Sequence, residues 1–109
     1  MIHSNIKVAI ESDDQNMPER ITWAYDEQGE SPAAHTDAVL LSVWDKHEKR
    51  SLHVDLWTKN MTMSEMHQLV FQTMATLADT YGRATGNTML AGKMEDMLNQ
   101  LEKELSLQM

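Results

Sequence analysis

Residues 37–58 have the sequence DAVLLSVWDKHEKRSLHVDLWT, in which two alternating apolar runs flank a short charged segment. Side chains of a β-strand alternate between the two faces of a sheet, so this pattern predicts a β-hairpin. With the turn centred on His47 and Glu48, one face of the hairpin is aliphatic throughout. The expected cross-strand pairs on this face are Val39 with Leu56, Leu41 with Val54, and Val43 with Leu52.

The opposite face of the predicted hairpin mixes large apolar side chains with polar ones. It carries two tryptophans, and a tryptophan there has to be covered or left as exposed apolar surface. Tryptophan is enriched at the energetic centres of protein interfaces, so we predict an interaction surface. Cover by long neighbouring side chains and a small-ligand site are the alternatives, and a register slip of one residue would exchange the two faces. The candidate interface residues are Leu40, Trp44, His53, Asp55 and Trp57.

Two further alternating segments precede the hairpin. Residues 6–10 and 20–26 both alternate apolar with polar side chains, which predicts two more strands, antiparallel to each other. Residues 27–36, EQGESPAAHT, contain glycine, proline and polar residues and predict an exposed loop. Because short connections favour neighbouring strands, we expect a four-stranded antiparallel meander over about residues 5–58.

The C-terminal part has helical periodicity. Thr62 and Glu65 have the spacing of a capping box, so a helix is expected to begin there, and Gly86 marks its end. A second helix follows from about Asn87, and the two helices together span about residues 62–108. The apolar stripe of the first helix contains Met66, Leu69, Val70, Met74, Leu77, Ala78 and Tyr81, opposite a polar face with His67, Gln68 and Gln72; the stripe of the second contains Leu90, Met94, Met97, Leu98, Leu101 and Leu105.

These elements predict an α+β fold, in which a four-stranded antiparallel sheet is followed by two C-terminal helices packed on one face of the sheet. The chain has 109 residues, which is too few for two separate cores, so we expect a single domain over residues 1–109. The stripe of the second helix also suits packing against another copy of the chain, and we expect a homo-oligomer.

Composition excludes several classes of function. The net charge of -8 opposes binding to a phosphate backbone, so nucleic acid is not an expected partner. The absence of cysteine excludes disulfides, thiolate metal sites and a cysteine nucleophile. The first residues lack a signal-peptide pattern and no apolar run approaches the length of a membrane span, so we expect a cytoplasmic protein without membrane insertion. The ten methionines suit an adaptable core or contact surface.

Catalytic chemistry has weak support in the sequence. Ser42, Ser51, His53 and Asp55 share one face of the predicted hairpin, so a Ser-His-Asp set is conceivable. A nucleophilic serine needs a strained, exposed turn with an oxyanion site beside it, and no glycine-rich elbow is present here. The other histidines have no metal-ligand spacing. We therefore expect no catalytic residue, no metal ligand and no cofactor.

Three strings in the sequence, LLSVWD, DLWTKNM and MATLADTYGRATG, resemble the gliding motility-associated protein GldC family of the Bacteroidota. They span residues 40–86, and a looser similarity runs from Ile6 through ERITWAYD. The resemblance implies a small soluble cytoplasmic protein, accessory to the gliding machinery, which is associated with type IX secretion. It brings no catalytic motif.

The sequence and the resemblance together indicate a noncatalytic adaptor that binds protein partners of the gliding or secretion machinery. One alternative is a holding chaperone that shields unfolded secretion substrates, because the same apolar surface and methionines suit such clients. A hydrolase that uses His53 and Asp55 ranks last.

Overall fold

The computed structural model describes residues 3–26 and 34–108, and these form strands followed by helices. The α+β class predicted from the sequence is therefore confirmed. The chain divides into two compact units, residues 1–62 with the strands and residues 63–109 with the helices. The elements are β1 (Asn5–Ser12), β2 (Pro18–Asp26), β3 (Ala34–Thr36), β4 (Ala38–Asp45), β5 (Arg50–Trp57), α1 (Met63–Thr85) and α2 (Thr88–Gln108).

Strands β1, β2 and β3 form an antiparallel sheet in that order. Residues directly opposite each other share a face, so the period-two pattern of β1 and β2 gives this sheet one apolar face. Its cross-strand pairs are Ile6 with Tyr25, Val8 with Trp23, and Ile10 with Ile21. On the other face Glu11 lies opposite Arg20, with 4.0 Å between their charged groups.

The prediction of one four-stranded sheet is wrong, because the described residues form five strands in two sheets. An additional short strand precedes the predicted third strand, and the pairing partner changes at Asp37. Residues 34–36 pair with β2, whereas residues 38–45 pair with β5. Part of the predicted loop is thus the short strand β3, and residues 27–33 of that loop lie outside the described residues.

Hydrogen bonds to Asp37 hold the chain at the corner between the two sheets. The backbone N–H of Thr58 donates to the carbonyl of Asp37 at 2.8 Å, and the Thr58 hydroxyl donates to Asp37 Oδ1 at 3.0 Å. Thr58 is buried and Asp37 is half-buried, so these bonds are partly shielded from water. Strands that change sheet commonly do so at such a bend, and aspartate is disfavoured in regular strand.

The β1–β2 turn is organised by Asp13. The backbone N–H groups of Gln15 and Met17 donate to its Oδ1, each at 2.9 Å, and Lys59 Nζ lies 3.2 Å from its Oδ2. Asn16 has the left-handed φ of 64° that the turn requires, which asparagine tolerates. The hydrogen bond from Met17 is the main cause that lowers the pKa of the Asp13 carboxyl, with Gln15 and Lys59 adding to it against the opposing effect of desolvation.

This lowered pKa predicts an acid-dependent stability. The unfolded chain takes up the proton near the ordinary pKa of 3.8, before the folded chain does, so the contribution of Asp13 is present above that pH and lost as pH falls through the lowered folded value. Asp13→Asn is expected to reduce stability at neutral pH and to flatten the acid limb of the stability curve, as urea unfolding at a series of pH values would measure. Asp14→Asn, the same change at the exposed neighbouring carboxyl, should retain the acid limb of the parent; equal curves for both variants would contradict the role of Asp13.

The helices begin and end at residues with capping chemistry. α1 starts directly after Thr62, and the predicted break at Gly86 is confirmed by its left-handed φ of 75°. Asn87 Oδ1 accepts a hydrogen bond from the Leu90 N–H at 3.0 Å, which caps the start of α2. Among the described residues no helix combines the length and apolar character that a membrane span requires.

Small residues form much of the line along which α1 and α2 meet. A Cβ on Gly82 would lie 3.0 Å from Ala91 Cβ, and Ala78 and Leu98 are buried. At the other end of the helix pair, α1 and α2 line an open groove of about 350 Å³. Its walls include His67, Gln68 and Gln72 of the polar face of α1. The polar face of α1 therefore lies partly beside α2 and does not face solvent alone.

Larger apolar side chains project from the helix pair beside this line. We call them the helical apolar face: Met63, Val70, Met74, Leu77 and Tyr81 of α1 with Leu90, Met94, Met97 and Leu101 of α2. Most of them are exposed, and the rest are half-buried.

Candidate protein-interaction surface

The β4–β5 hairpin has the register that its sequence predicts. The aliphatic pairs Val39 with Leu56, Leu41 with Val54, and Val43 with Leu52 all form, so the alternative of a slipped register is excluded. The opposite face, which we call the tryptophan face, is built from the pairs Ala38 with Trp57, Leu40 with Asp55, Ser42 with His53, and Trp44 with Ser51.

The turn explains why this register is stable. Asp45 Oδ1 accepts hydrogen bonds from the backbone N–H groups of His47 at 2.9 Å and Glu48 at 3.2 Å, as an aspartate at the start of a turn commonly does. Lys49 has a left-handed φ of 54°, and its N–H donates to the Asp45 carbonyl at 2.8 Å. These local bonds fix the loop and therefore the pairing of both strands.

The two tryptophans are the most exposed large apolar side chains of the tryptophan face, Trp44 at 64% and Trp57 at 51%. They occupy opposite ends of the hairpin. Trp57 on β5 pairs with Ala38 at the start of β4, whereas Trp44 lies near the end of β4. The rise of an extended strand places them roughly 20 Å apart. A partner that contacts both rings therefore has to extend over the whole length of the hairpin.

Polar groups occupy the middle of the tryptophan face. Ser42 Oγ lies 2.9 Å from His53 Nδ1, a hydrogen bond whose direction depends on the imidazole tautomer. Asp55 lies opposite Leu40, and its carboxylate has no hydrogen bond or ion pair with the described residues. A serine protease-like triad needs the carboxylate to orient the histidine ring, and the described part of the chain shows no such bond.

The face therefore combines apolar anchors at its ends with hydrogen-bonding groups at its centre. This arrangement suits contact with another protein, since interfaces place aromatic anchors among polar groups. No cluster of histidine, aspartate and glutamate that could hold a metal ion occurs among the described residues. The candidate residues Leu40, Trp44, His53, Asp55 and Trp57 are brought together on one face, as predicted, while their role in binding stays a prediction.

A second exposed apolar surface lies on the aliphatic face of the hairpin. Val43 is 52% exposed, although an entirely aliphatic strand face is typical of one that is buried. Near the corner, the aliphatic face and the apolar face of the three-stranded sheet line an open groove of about 290 Å³, with Trp23 and Leu41 in its walls. Alternation identifies which side chains share a face, but it does not report whether the face is covered, so the sequence carried no signal for this exposure.

These features define a small α+β protein with apolar surface on both faces of one hairpin. The chain belongs to the GldC-like family: the model of the gliding motility-associated protein GldC-like family matches residues 18–107, most of the chain. The resemblance found in the sequence is thereby confirmed, and it connects the protein with gliding motility. No curated protein and no solved structure matches the chain.

Proposed function

We propose that this chain is a noncatalytic accessory protein of bacterial gliding motility that acts in the cytoplasm by binding another protein through its tryptophan face. The observation that carries the proposal is the exposure of Trp44 and Trp57 on one face of a hairpin with a fixed register. Family membership supports the gliding context. A partner in the gliding machinery, or in the associated type IX secretion system, is the one that the family resemblance implies.

Charge and chemistry describe the partner further. The tryptophan face carries few charges, whereas the chain as a whole has a net charge of -8. Apolar anchors then supply affinity, and the surrounding negative charge disfavours unrelated acidic proteins. The partner is expected to present an apolar ridge about as long as the hairpin, with polar groups at its middle for Ser42, His53 and Asp55.

The test is affinity capture from an extract of a gliding bacterium with the tagged full chain, followed by quantitative identification of the retained proteins. Trp44→Asp and Trp57→Asp are each expected to reduce retention of one defined partner by at least tenfold, because truncation of a hot-spot side chain costs about 2 kcal/mol or more. Gln100→Glu adds one negative charge on α2 and is the control that should retain it. Undiminished retention by both tryptophan variants, with a native circular dichroism spectrum, would contradict the proposal.

A second candidate is a holding chaperone for unfolded secretion substrates, and the exposed aliphatic face of the hairpin favours it. Such a protein binds many extended apolar segments with little selection. A reduced, carboxymethylated model protein that remains unfolded is a suitable probe. Binding of this probe, lost in Val43→Asp, would favour the chaperone, whereas selective retention of one folded partner would favour the adaptor.

A further inference from the structure

The geometry points to the helical apolar face as the surface through which two copies of this chain associate, each copy packing this face against the same face of the other. This inference uses none of the residues of the tryptophan face. It rests on the arrangement, the chemistry and the area of the helical apolar face.

The large apolar side chains of both helices lie on the same side of the helix pair. Residues along the contact line recur at alternating steps of three and four: Phe71, Ala75, Ala78 and Gly82 on α1, and Ala91, Glu95 and Leu98 on α2. The helical apolar face consists mostly of the residues that precede such positions. In two antiparallel helices, positions that precede the contact line by one residue project toward a common side.

The helical apolar face carries no charged side chain. Two acidic residues of α2, Glu95 and Glu102, instead line the grooves along the contact line. Two copies with a net charge of -8 each can therefore approach through this face without bringing like charges into contact. Burial of the face also desolvates few polar groups, which removes a major cost of association.

The exposed area is sufficient for a stable contact between copies. Leu77 is 56% exposed and Met97 is 68% exposed, and both lie near the middle of the face. From such exposures the face offers on the order of 600 Å² per copy, at the lower end of the roughly 600–1,000 Å² that each partner buries in a specific interface. An isologous contact uses this one patch twice, and flexible methionines adapt to a copy of themselves without exact shape matching.

The contact line between α1 and α2 supplies a further reason for a second copy. Ala78, Gly82 and Ala91 are small and bury little apolar area, so the half of the contact line nearest the turn adds little stability to the helix pair. Helices in globular proteins are stabilised chiefly by burial of an apolar face. A second helix pair on this face forms a four-helix arrangement and provides that burial.

The test is the solution mass of the full chain by light scattering over a range of concentrations. The parent is expected at twice the chain mass, and the double variant Leu77→Glu with Met97→Glu at the chain mass, with a dissociation constant raised at least 100-fold. Thr76→Glu with Asn99→Glu adds the same two charges on the opposite flank of the helices and should remain a dimer. Trp44→Asp should also remain a dimer, which separates this inference from the proposed function.

Loss of helix in the glutamate variant would be detected by circular dichroism. If the double glutamate variant loses helix, the double variant Leu77→Ala with Met97→Ala is used instead, because alanine favours helix. This alanine variant should raise the dissociation constant at least tenfold. A parent that is monomeric at every concentration overturns the inference, because the face then serves the chain's own sheets or a different protein. A helical glutamate or alanine variant with unchanged association, or a Trp44→Asp variant that dissociates, overturns it as well.

Discussion

Replacement of Ile21 with alanine is expected to lower the free energy of unfolding by about 3–4 kcal/mol. Ile21 is 0% exposed and lies on β2, the central strand of its sheet, between Ile10 on β1 and Thr36 on β3. Alanine leaves a cavity that neighbours paired on both sides cannot fill easily. Since domains of this kind are stable by only about 5–15 kcal/mol, the loss is a large share of the total.

Urea unfolding followed by tryptophan fluorescence measures this loss, because Trp23 lies on the same strand as Ile21. Ile10→Ala is the matched control: it removes the same atoms from the residue directly opposite, on the same face, where the side chain is 41% exposed. The control should cost less than half as much, because its side chain is only partly removed from water. If the two variants lost the same free energy of unfolding, the burial of Ile21 would not contribute more to stability than the half-exposed Ile10.

Replacement of Gly82 with leucine is expected to destabilise the helix pair by about 2 kcal/mol. Even the first carbon of the new side chain would lie 3.0 Å from Ala91 Cβ, so α1 and α2 would have to move apart. The steric cost of overpacking, up to about 3 kcal/mol, outweighs the roughly 1 kcal/mol that leucine gains over glycine in helix propensity.

Gly92→Leu is the matched substitution on α2, where an added Cβ would meet nothing within 4 Å. It should stabilise the protein by somewhat less than 1 kcal/mol, since only the propensity difference remains. Thermal unfolding followed at 222 nm compares the two variants, and their shifts in midpoint are expected to have opposite signs. Stabilisation by Gly82→Leu would show that the helices do not approach closely at this residue.

The hairpin could be predicted in detail because its information is local. Alternation assigns the faces, and the turn chemistry of Asp45 and Lys49 fixes the pairing of Val43 with Leu52. The division into two sheets could not be predicted in this way. Nothing in the alternation of residues 34–45 indicates that the pairing partner changes at Asp37, since that choice depends on strands elsewhere in the chain.

The helices were also predicted only in part from the sequence. Gly86 correctly predicted the break between them, but the hydrophobic pattern did not separate the residues of their contact line from those of the apolar stripes. Ala78, Gly82 and Ala91 are small, so they contribute little to a hydrophobic pattern even though they allow the closest approach. For the candidate site, the sequence placed Trp44 and Trp57 on the correct face, but exposure depends on the whole fold and had to come from the structure.

The bend at Asp37 has a mechanical consequence for a protein associated with cell movement. The hairpin extends from this corner by roughly 25 Å, the length of an eight-residue strand. Trp44 lies near the tip of the hairpin, far from the pair of hydrogen bonds between Asp37 and Thr58. A partner that pulls on Trp44 therefore exerts a large torque about these bonds, which act as the fulcrum. A pull on Trp57, beside the fulcrum, exerts almost no torque. Under the proposed binding mode, the tryptophan that a partner contacts decides how much torque reaches the corner at Asp37.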